Sequence, residues 1–415
     1  MVAWEEHYAR RAGRMAASEI RELLKLLDEP DVISFAGGIP DPALFPLDAI
    51  AEAHRRILGD PRRAAAALQY SASEGYLPLR DWIARYMAGL GVPCSADHVL
   101  ITSGAQQALD FIGKLLVTPG DAVLVARPTY LGALQALSAY EPVYDDLPRA
   151  GDNRGAPRRG QGRGARRRGR GRRALGYVMP DFQNPTGASL DLAERQALLA
   201  AAARLDLPLV EDAAYEALRY EGERLPSLLA LDAAQQGGVD GARVLYCGTF
   251  SKTVAPGFRL GWVVAPLPVI RRLVLVKQAS DLHSGSLSQM AMHEVVQSVL
   301  PRALEPIRRC YRARRDAMLA ALAREMPPGV RWTTPAGGMF LWLTLPAAVD
   351  AAALLARAIA EARVAFVPGR AFHADGSGAN TLRLNFTLAD EARIGDGVKR
   401  LGALLRRLPE MAGAG

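Results

Sequence analysis

The chain is poor in the residues that build disulfide and metal scaffolds. Only Cys94, Cys247 and Cys310 occur in 415 residues. A sparse, odd and widely spaced set argues against a disulfide framework and a zinc knuckle, and suits a reducing cytoplasm. The six histidines form no H-E-x-x-H pattern. His283 and His293 read as packing or surface residues, so no metal site is expected. No uninterrupted apolar run approaches the roughly 18 residues that would suggest a membrane span. The opening Met1-Val-Ala-Trp-Glu-Glu-His-Tyr8 lacks a basic stretch followed by an apolar one, so no secretory leader is expected and the expected location is the cytoplasm. Half the residues are hydrophobic, which at this length allows a large core and more than one domain.

The formal charge of +8 is misleading. Residues 149–173 hold 11 of the 51 basic residues and one of the 43 acidic ones, so the remainder carries a slight acidic excess. That segment also has seven glycines and no leucine, isoleucine, valine or aromatic residue, so it cannot supply a core face.

Outside it, short apolar runs alternate with helical patterns. Strands are expected at Val32–Phe35, Val99–Thr102, Ala122–Ala126, Leu175–Met179, Pro208–Val210 and Val244–Cys247. Helices are expected at Ile20–Leu27, Tyr76–Leu90, Gln106–Val117 and Leu192–Ala203. Such alternation predicts an α/β fold with a mostly parallel sheet covered by helices. After about Leu287 the pattern changes to a long helical region reaching about Arg324. Strands follow at Met339–Leu345, Ala365–Val367 and Leu382–Phe386, as in a smaller α+β domain. The expected division is an N-terminal arm over 1–45 contributing to the small domain, a large domain over 46–286 and the small domain over 287–415.

The polar motifs fall at the carboxyl ends of the expected strands, where such sheets place ligands. The run Cys247-Gly-Thr-Phe-Ser-Lys-Thr-Val-Ala-Pro-Gly-Phe-Arg-Leu-Gly-Trp262 sets Lys252 beside hydroxyls and seven residues before Arg259. An amine so placed can form a Schiff base with a phosphorylated aldehyde, while the hydroxyls and guanidinium hold the phosphate. A surface lysine on a glycine-rich loop is the plainer alternative. Ser103-Gly-Ala-Gln106 lies between a strand and a helix, where free backbone N–H groups form an anion site or simply an ordinary turn. Asn184-Pro-Thr-Gly187 is a turn that would bring an amide to a ligand oxygen. Asp212 would be costly to bury unpaired, and a pyridinium nitrogen is a suitable partner; a helix cap is the alternative. Tyr215 could donate to a ring oxygen or pack in the core.

Together these residues resemble the pyridoxal-phosphate aminotransferases of fold type I, class I/II, over nearly the whole chain apart from 149–173. The resemblance is closest to the branch of 2-aminoadipate and kynurenine aminotransferases. It is carried by Ser34-Phe-Ala-Gly-Gly-Ile-Pro40, Leu68-Gln-Tyr-Ser71, Glu74-Gly-Tyr76, Asp181-Phe-Gln-Asn-Pro-Thr-Gly187, Gly337-Gly-Met-Phe340, Phe366-Val-Pro-Gly369 and Leu382-Arg-Leu-Asn385. The resemblance implies that Lys252 carries the cofactor and shuttles a proton, and that Asp212 keeps the ring nitrogen protonated. It implies that Asn184 and Tyr215 bind the phenolic oxygen and that Tyr130 stacks on the ring. Ala105, Gln106, Thr249 and Arg259 would bind phosphate, and Tyr70 would reach the phosphate of a neighbouring subunit in a homodimer with shared sites. Arg383 would clamp the substrate carboxylate near Asn184 and Gly38. Arg21 stands where the aminoadipate branch binds a distal carboxylate, and a solvated helix arginine is an equal reading. The implied reaction moves the amino group of 2-aminoadipate, an aromatic or a branched-chain amino acid to 2-oxoglutarate.

Two other functions are compatible with parts of the sequence. A β-lyase or decarboxylase could use the same fold. A nucleic-acid-binding regulator is disfavoured, because the enzyme-like pattern begins within about the first 20 residues and leaves little chain for a helix-turn-helix; only the Arg/Gly segment favours nucleic acid. That segment admits three origins: a binding tract, a disordered loop, or GC-rich DNA read out of register between two compensating frameshifts. The third is favoured, since a long structureless insert in a compact α/β domain is anomalous. Resequencing the gene is expected to return a frame in which 149–173 has ordinary core composition; an in-register read reproducing the Arg/Gly tract rejects the frameshift.

Overall fold

The computed structural model describes residues 2–14, 31–148, 172–300 and 302–411. After the short strand β1 (Ile33–Ser34), the chain builds a sheet from β2 (Val99–Thr102), β3 (Ala122–Val125), β4 (Val143–Asp146), β5 (Arg173–Val178), β6 (Leu209–Asp212), β7 (Val244–Thr249) and β8 (Gly261–Val264). Their spatial order is β2-β8-β7-β6-β5-β3-β4. β4, β3, β5, β6 and β7 run parallel to their neighbours, whereas β8 is antiparallel to both β7 and β2.

Successive side chains of each strand enter two separate cores. Leu100, Val123, Tyr177, Val210 and Leu245 pack on one face, with helices Ala105–Leu116 and Leu267–Gln278. Val99, Leu124, Val178, Leu209 and Tyr246 pack on the other, with helices Leu77–Gly89, Leu192–Leu205 and Ser286–Val299. Burial on both faces is why these strands read as unbroken apolar runs rather than alternating ones. Helix ends are set locally. Asp191 Oδ1 accepts from the Glu194 backbone at 2.8 Å, and Glu194 returns a carboxylate to the Asp191 N–H at 2.9 Å.

A second sheet contains β9 (Arg331–Trp332), β10 (Phe340–Thr344), β12 (Val367–Pro368) and β13 (Thr381–Asn385), all antiparallel, in the order β12-β13-β10-β9. β11 (Val364–Ala365) pairs in parallel with β1, joining residues near both ends of the chain.

Several expectations need correction. β4 and β8 carried no recognised strand signal: β4 is a partly exposed, acidic edge, and β8 follows a proline- and glycine-containing loop. The expected strand Ala365–Val367 is two strands in different sheets. The expected long helical region divides into Ser286–Val299 and Leu304–Glu325; Leu300 is extended, as a residue before proline prefers. The anomalous segment also ends earlier than 173. Arg173 opens β5 opposite Ala122, and Ala174 is already buried. Residues 149–171 and the expected helix Ile20–Leu27 lie outside the described residues.

β7 carries Lys252's loop, and its glycine has a definite role. Gly248 faces Trp262 across the β7–β8 pair, and a Cβ there would lie 2.2 Å from the indole. Trp262 is held against Phe250 with ring centroids 4.7 Å apart, so it has little room to yield. Gly248→Ala is expected to destabilise the fold by about 1–3 kcal/mol through overpacking, read as a fall in the urea or thermal unfolding midpoint.

Candidate active site

A cavity of about 280 Å³ opens where the carboxyl ends of the large sheet meet β13 and the Gly38–Ile39 segment that follows β1. Asp212, the last residue of β6, is 2% exposed. Its Oδ2 accepts a hydrogen bond from Tyr177 Oη at 2.8 Å, and its Oδ1 accepts from the Ala214 N–H at 3.2 Å. Burial pushes its pKa up to about 6, against the pull of those donors and of the Lys252 charge. Such a carboxylate favours a cationic partner.

Lys252 lies just beyond β7. Its Nζ donates to the Gly38 carbonyl at 3.0 Å and sits 6.0 Å from the Tyr215 ring centroid. Burial, with Arg383 and Arg259 close by, lowers its pKa to about 8, so a substantial neutral fraction exists near physiological pH. A neutral amine is the nucleophile that carbonyl chemistry requires.

One end of the cavity is suited to an anion. Gly104 has φ of 83° and precedes the helix starting at Ala105, leaving first-turn N–H groups of Ala105 and Gln106 without partners in a preceding turn. The Arg259 guanidinium lies over this turn: a Cβ on Gly104 would be 2.7 Å from its Nη2. Thr249 and Ser251 line the same cavity, with their hydroxyl oxygens 3.0 Å apart.

The other end is suited to a carboxylate. Arg383 on β13 is 1% exposed. Its Nη1 donates to Asn184 Oδ1 at 2.9 Å and its Nη2 to the Ala36 carbonyl at 2.6 Å, while its Nε is buried without a partner. Burial brings its pKa down to about 10. The guanidinium is sandwiched by aromatic rings, 4.2 Å from the Phe340 centroid and 5.1 Å from that of Phe372. Tyr130 and Tyr215 complete the wall, and burial raises the pKa of both hydroxyls, Tyr130 to about 12.

The fold thus brings together Gly38, Ala105, Gln106, Tyr130, Asn184, Asp212, Tyr215, Thr249, Lys252, Arg259 and Arg383. The Gln106 side chain turns aside and donates to the Gly132 carbonyl at 2.7 Å, so only its backbone is placed for anion binding. Tyr70 does not line the cavity; it is 79% exposed. Arg21 lies outside the described residues.

Sequence reading missed Tyr177 and Gly132, and took Ser251 only as one of the hydroxyls beside Lys252. Tyr177 pairs with Val210, two residues before Asp212, so strand alternation puts both polar groups on one face. Ser251 was legible as the neighbour of Lys252. Gly132 gave no signal: a Cβ there would lie 2.4 Å from the Tyr130 ring, so only glycine lets that ring fold over the helix start.

The donor set fits pyridoxal phosphate: an amine for its aldehyde, a carboxylate for its ring nitrogen and a cationic turn for its phosphate. The family described as Aminotransferase class I and II matches residues 30–142 and 177–401, a span interrupted around the Arg/Gly segment. The chain belongs to this family and is a pyridoxal-phosphate-dependent transaminase of fold type I. Among its relatives, the 2-aminoadipate transaminase of Thermus thermophilus is 44% identical over 407 residues, covering 98% of each chain. Aromatic-amino-acid aminotransferase 1 of Thermococcus litoralis is 41% identical over 405 residues, covering 97% of this chain and 95% of the relative. The solved structure of Thermus thermophilus α-aminoadipate aminotransferase LysN, complexed with N-(5'-phosphopyridoxyl)-L-leucine, superposes with a TM-score of 0.85 at 41% identity, covering 98% of both chains.

Because the Asp212 pKa is raised on folding, its contribution to stability is complete below the unfolded value near 4 and is lost as pH rises through about 6. Two pH units correspond to roughly 3 kcal/mol. The cofactor-free Asp212→Asn variant should therefore unfold no earlier than wild type at pH 7 and show a flatter pH profile, while cofactor should raise its melting temperature far less. A variant less stable than wild type when cofactor-free at pH 7 contradicts this assignment.

Proposed function

We propose that the enzyme transfers the amino group of an L-amino acid to 2-oxoglutarate in two alternating half-reactions, with 2-aminoadipate, aromatic and branched-chain amino acids as donors. The observation that carries the reading is the meeting of the Lys252 amine, the Asp212 carboxylate and the Arg383 guanidinium in one cavity. Bound pyridoxal phosphate supplies an aldehyde that condenses with amines and a protonated ring that draws electrons from the substrate α-carbon.

The chain's own groups do the rest. Lys252 Nζ would hold the cofactor at rest until the substrate amine displaces it, and the freed amine would then move the substrate's α-proton. Its lowered pKa keeps the amine available as a base. Asp212 holds a proton on the ring nitrogen, and Tyr177 fixes the orientation of that carboxylate. Asn184 and Tyr215 orient the ring oxygen, and Tyr130 covers the ring face. Ala105, Gln106, Thr249 and Arg259 bind the phosphate. Arg383 receives the α-carboxylate, with Asn184 and the Gly38 backbone beside it.

Residues 46–286 act as the cofactor-binding domain, and the chain ends at 1–45 and 287–415 form the smaller one. Tyr70 projects outward and serves the phosphate of a second subunit in a homodimer. The names of the relatives support the donor range, and Arg21 selects acidic side chains.

Mixing the enzyme with 2-aminoadipate, phenylalanine or leucine should shift the cofactor absorbance, and 2-oxoglutarate should restore it. Initial rates should give parallel double-reciprocal lines. Arg383→Gln is expected to weaken the amino-acid half-reaction by about 2–4 kcal/mol with the cofactor still bound. Absence of spectral change with all three donors defeats the donor assignment.

A further inference from the structure

One lysine, unlike Lys252, is fully buried. Lys277, near the end of helix Leu267–Gln278, has no exposed surface and does not line the cavity. Its Nζ donates at 3.0 Å to four acceptors: Gln107 Oε1, both carboxylate oxygens of Asp281 and Ser284 Oγ. A buried ammonium costs desolvation that a methionine of similar length would avoid, so packing alone does not account for it.

Its partners all converge on the turn that begins helix Ala105–Leu116. Gln107 Oε1, which receives the ammonium, also accepts the Ser103 N–H at 2.8 Å. Gln107 Nε2 donates to Asp281 Oδ2 at 2.8 Å. Ser103 Oγ donates to the same Asp281 oxygen at 3.1 Å and lies 3.1 Å from Ser284 Oγ. The segment closing around the amine is itself anchored. Gln289 Nε2 donates to the Ser284 carbonyl at 2.7 Å, and Gln289 Oε1 accepts the Tyr76 N–H at 2.7 Å. Leu282, between Asp281 and Ser284, takes the left-handed φ of 65°, which is unfavourable for leucine. That backbone geometry brings the carboxylate and the hydroxyl round to one ammonium.

Ser103 is thereby fixed through both its backbone and its side chain. Beyond Gly104 the chain leaves this clamp, and Ala105 and Gln106, the first residues of the helix, line the cavity. We infer that Lys277 is a positioning residue for the phosphate-binding turn: its buried ammonium locks Ser103 and Gln107 so that the Ala105 and Gln106 N–H groups are preset for a phosphate. This rests on the reading that the turn takes the cofactor phosphate.

The test compares pyridoxal phosphate with pyridoxal, which lacks the phosphate, binding to cofactor-free wild type, Lys277→Met and Ser284→Ala, followed by absorbance. Wild type should prefer the phosphorylated compound. Lys277→Met should lose about tenfold or more of that preference, the equivalent of one hydrogen bond to a charged group, while its affinity for pyridoxal is nearly unchanged. Ser284→Ala removes a single bond and should lose preference in the same direction but less, which keeps the test usable if Lys277→Met does not fold. A variant that melts earlier yet keeps the wild-type ratio makes Lys277 purely structural and overturns the inference, and in Ser284→Ala alone an unchanged ratio does the same. If wild type itself shows no preference, the phosphate reading fails first and takes this inference with it.

Discussion

The structure depends on gathering ionisable groups from two sheets into one cavity with their partnerships incomplete. Asp212, Lys252 and Arg383 are each shifted by burial toward the neutral form. An isolated buried charge is expensive, and a folded protein normally pairs it or neutralises it. Here the pairings stop short. Arg383 has a buried Nε with no acceptor, and Lys252 rests on a neutral carbonyl. A ligand carrying a phosphate, a ring nitrogen, an aldehyde and, in the next step, an α-carboxylate supplies the missing partners. Groups fixed before the ligand arrives need little reorganisation when charge develops on it.

Holding such a site together requires rigidity elsewhere. The sheet is sealed on both faces, and β2, β6, β7 and β8 are buried at every position. Glu211 shows how strictly the strand separates its two sides. Asp212 enters the cavity, whereas its neighbour Glu211 points to the opposite face and accepts the Leu228 and Leu229 N–H groups at 2.9 and 2.8 Å, capping the next helix. A slip of one residue in β6 would exchange a cofactor-facing carboxylate for a capping one. The second sheet makes its contribution from the far side: β13 carries Arg383 and the segment after β1 carries Gly38, so the cavity closes only where residues from both sheets meet.

Much of this was legible in sequence because the decisive groups occur in short runs with chemical reasons for their spacing. Lys252, Asp212, Asn184 and Arg383 each follow or sit on an apolar strand, and the cavity gathers all four. Most expected strands and helices are present with ends shifted by a residue or two. What escaped were features whose cause is tertiary. β8 lies between β2 and β7, antiparallel to both; its Trp262-Val-Val264 run was legible as a strand, but its place in the sheet was not. Lys277 drew no reading, since nothing in its sequence neighbourhood shows that Gln107 lies against it. Tyr177 lay unremarked within an expected strand; its ring packs in the core while its hydroxyl holds Asp212.

The same logic bears on residues 149–173. Ordinary packing resumes at once: Arg173 pairs with Ala122, and Ala174 through Met179 are buried without interruption. The family match resumes at 177. An Arg/Gly composition cannot supply residues of that kind, so the change from anomalous to ordinary chain is confined to two or three positions. The last strand before the segment, β4, lies at the outer edge of the sheet with two of its four residues acidic. Every residue that lines the cavity comes from elements on the other side of that edge or from the second sheet. An error confined to 149–171 would therefore change none of the residues that line the cavity.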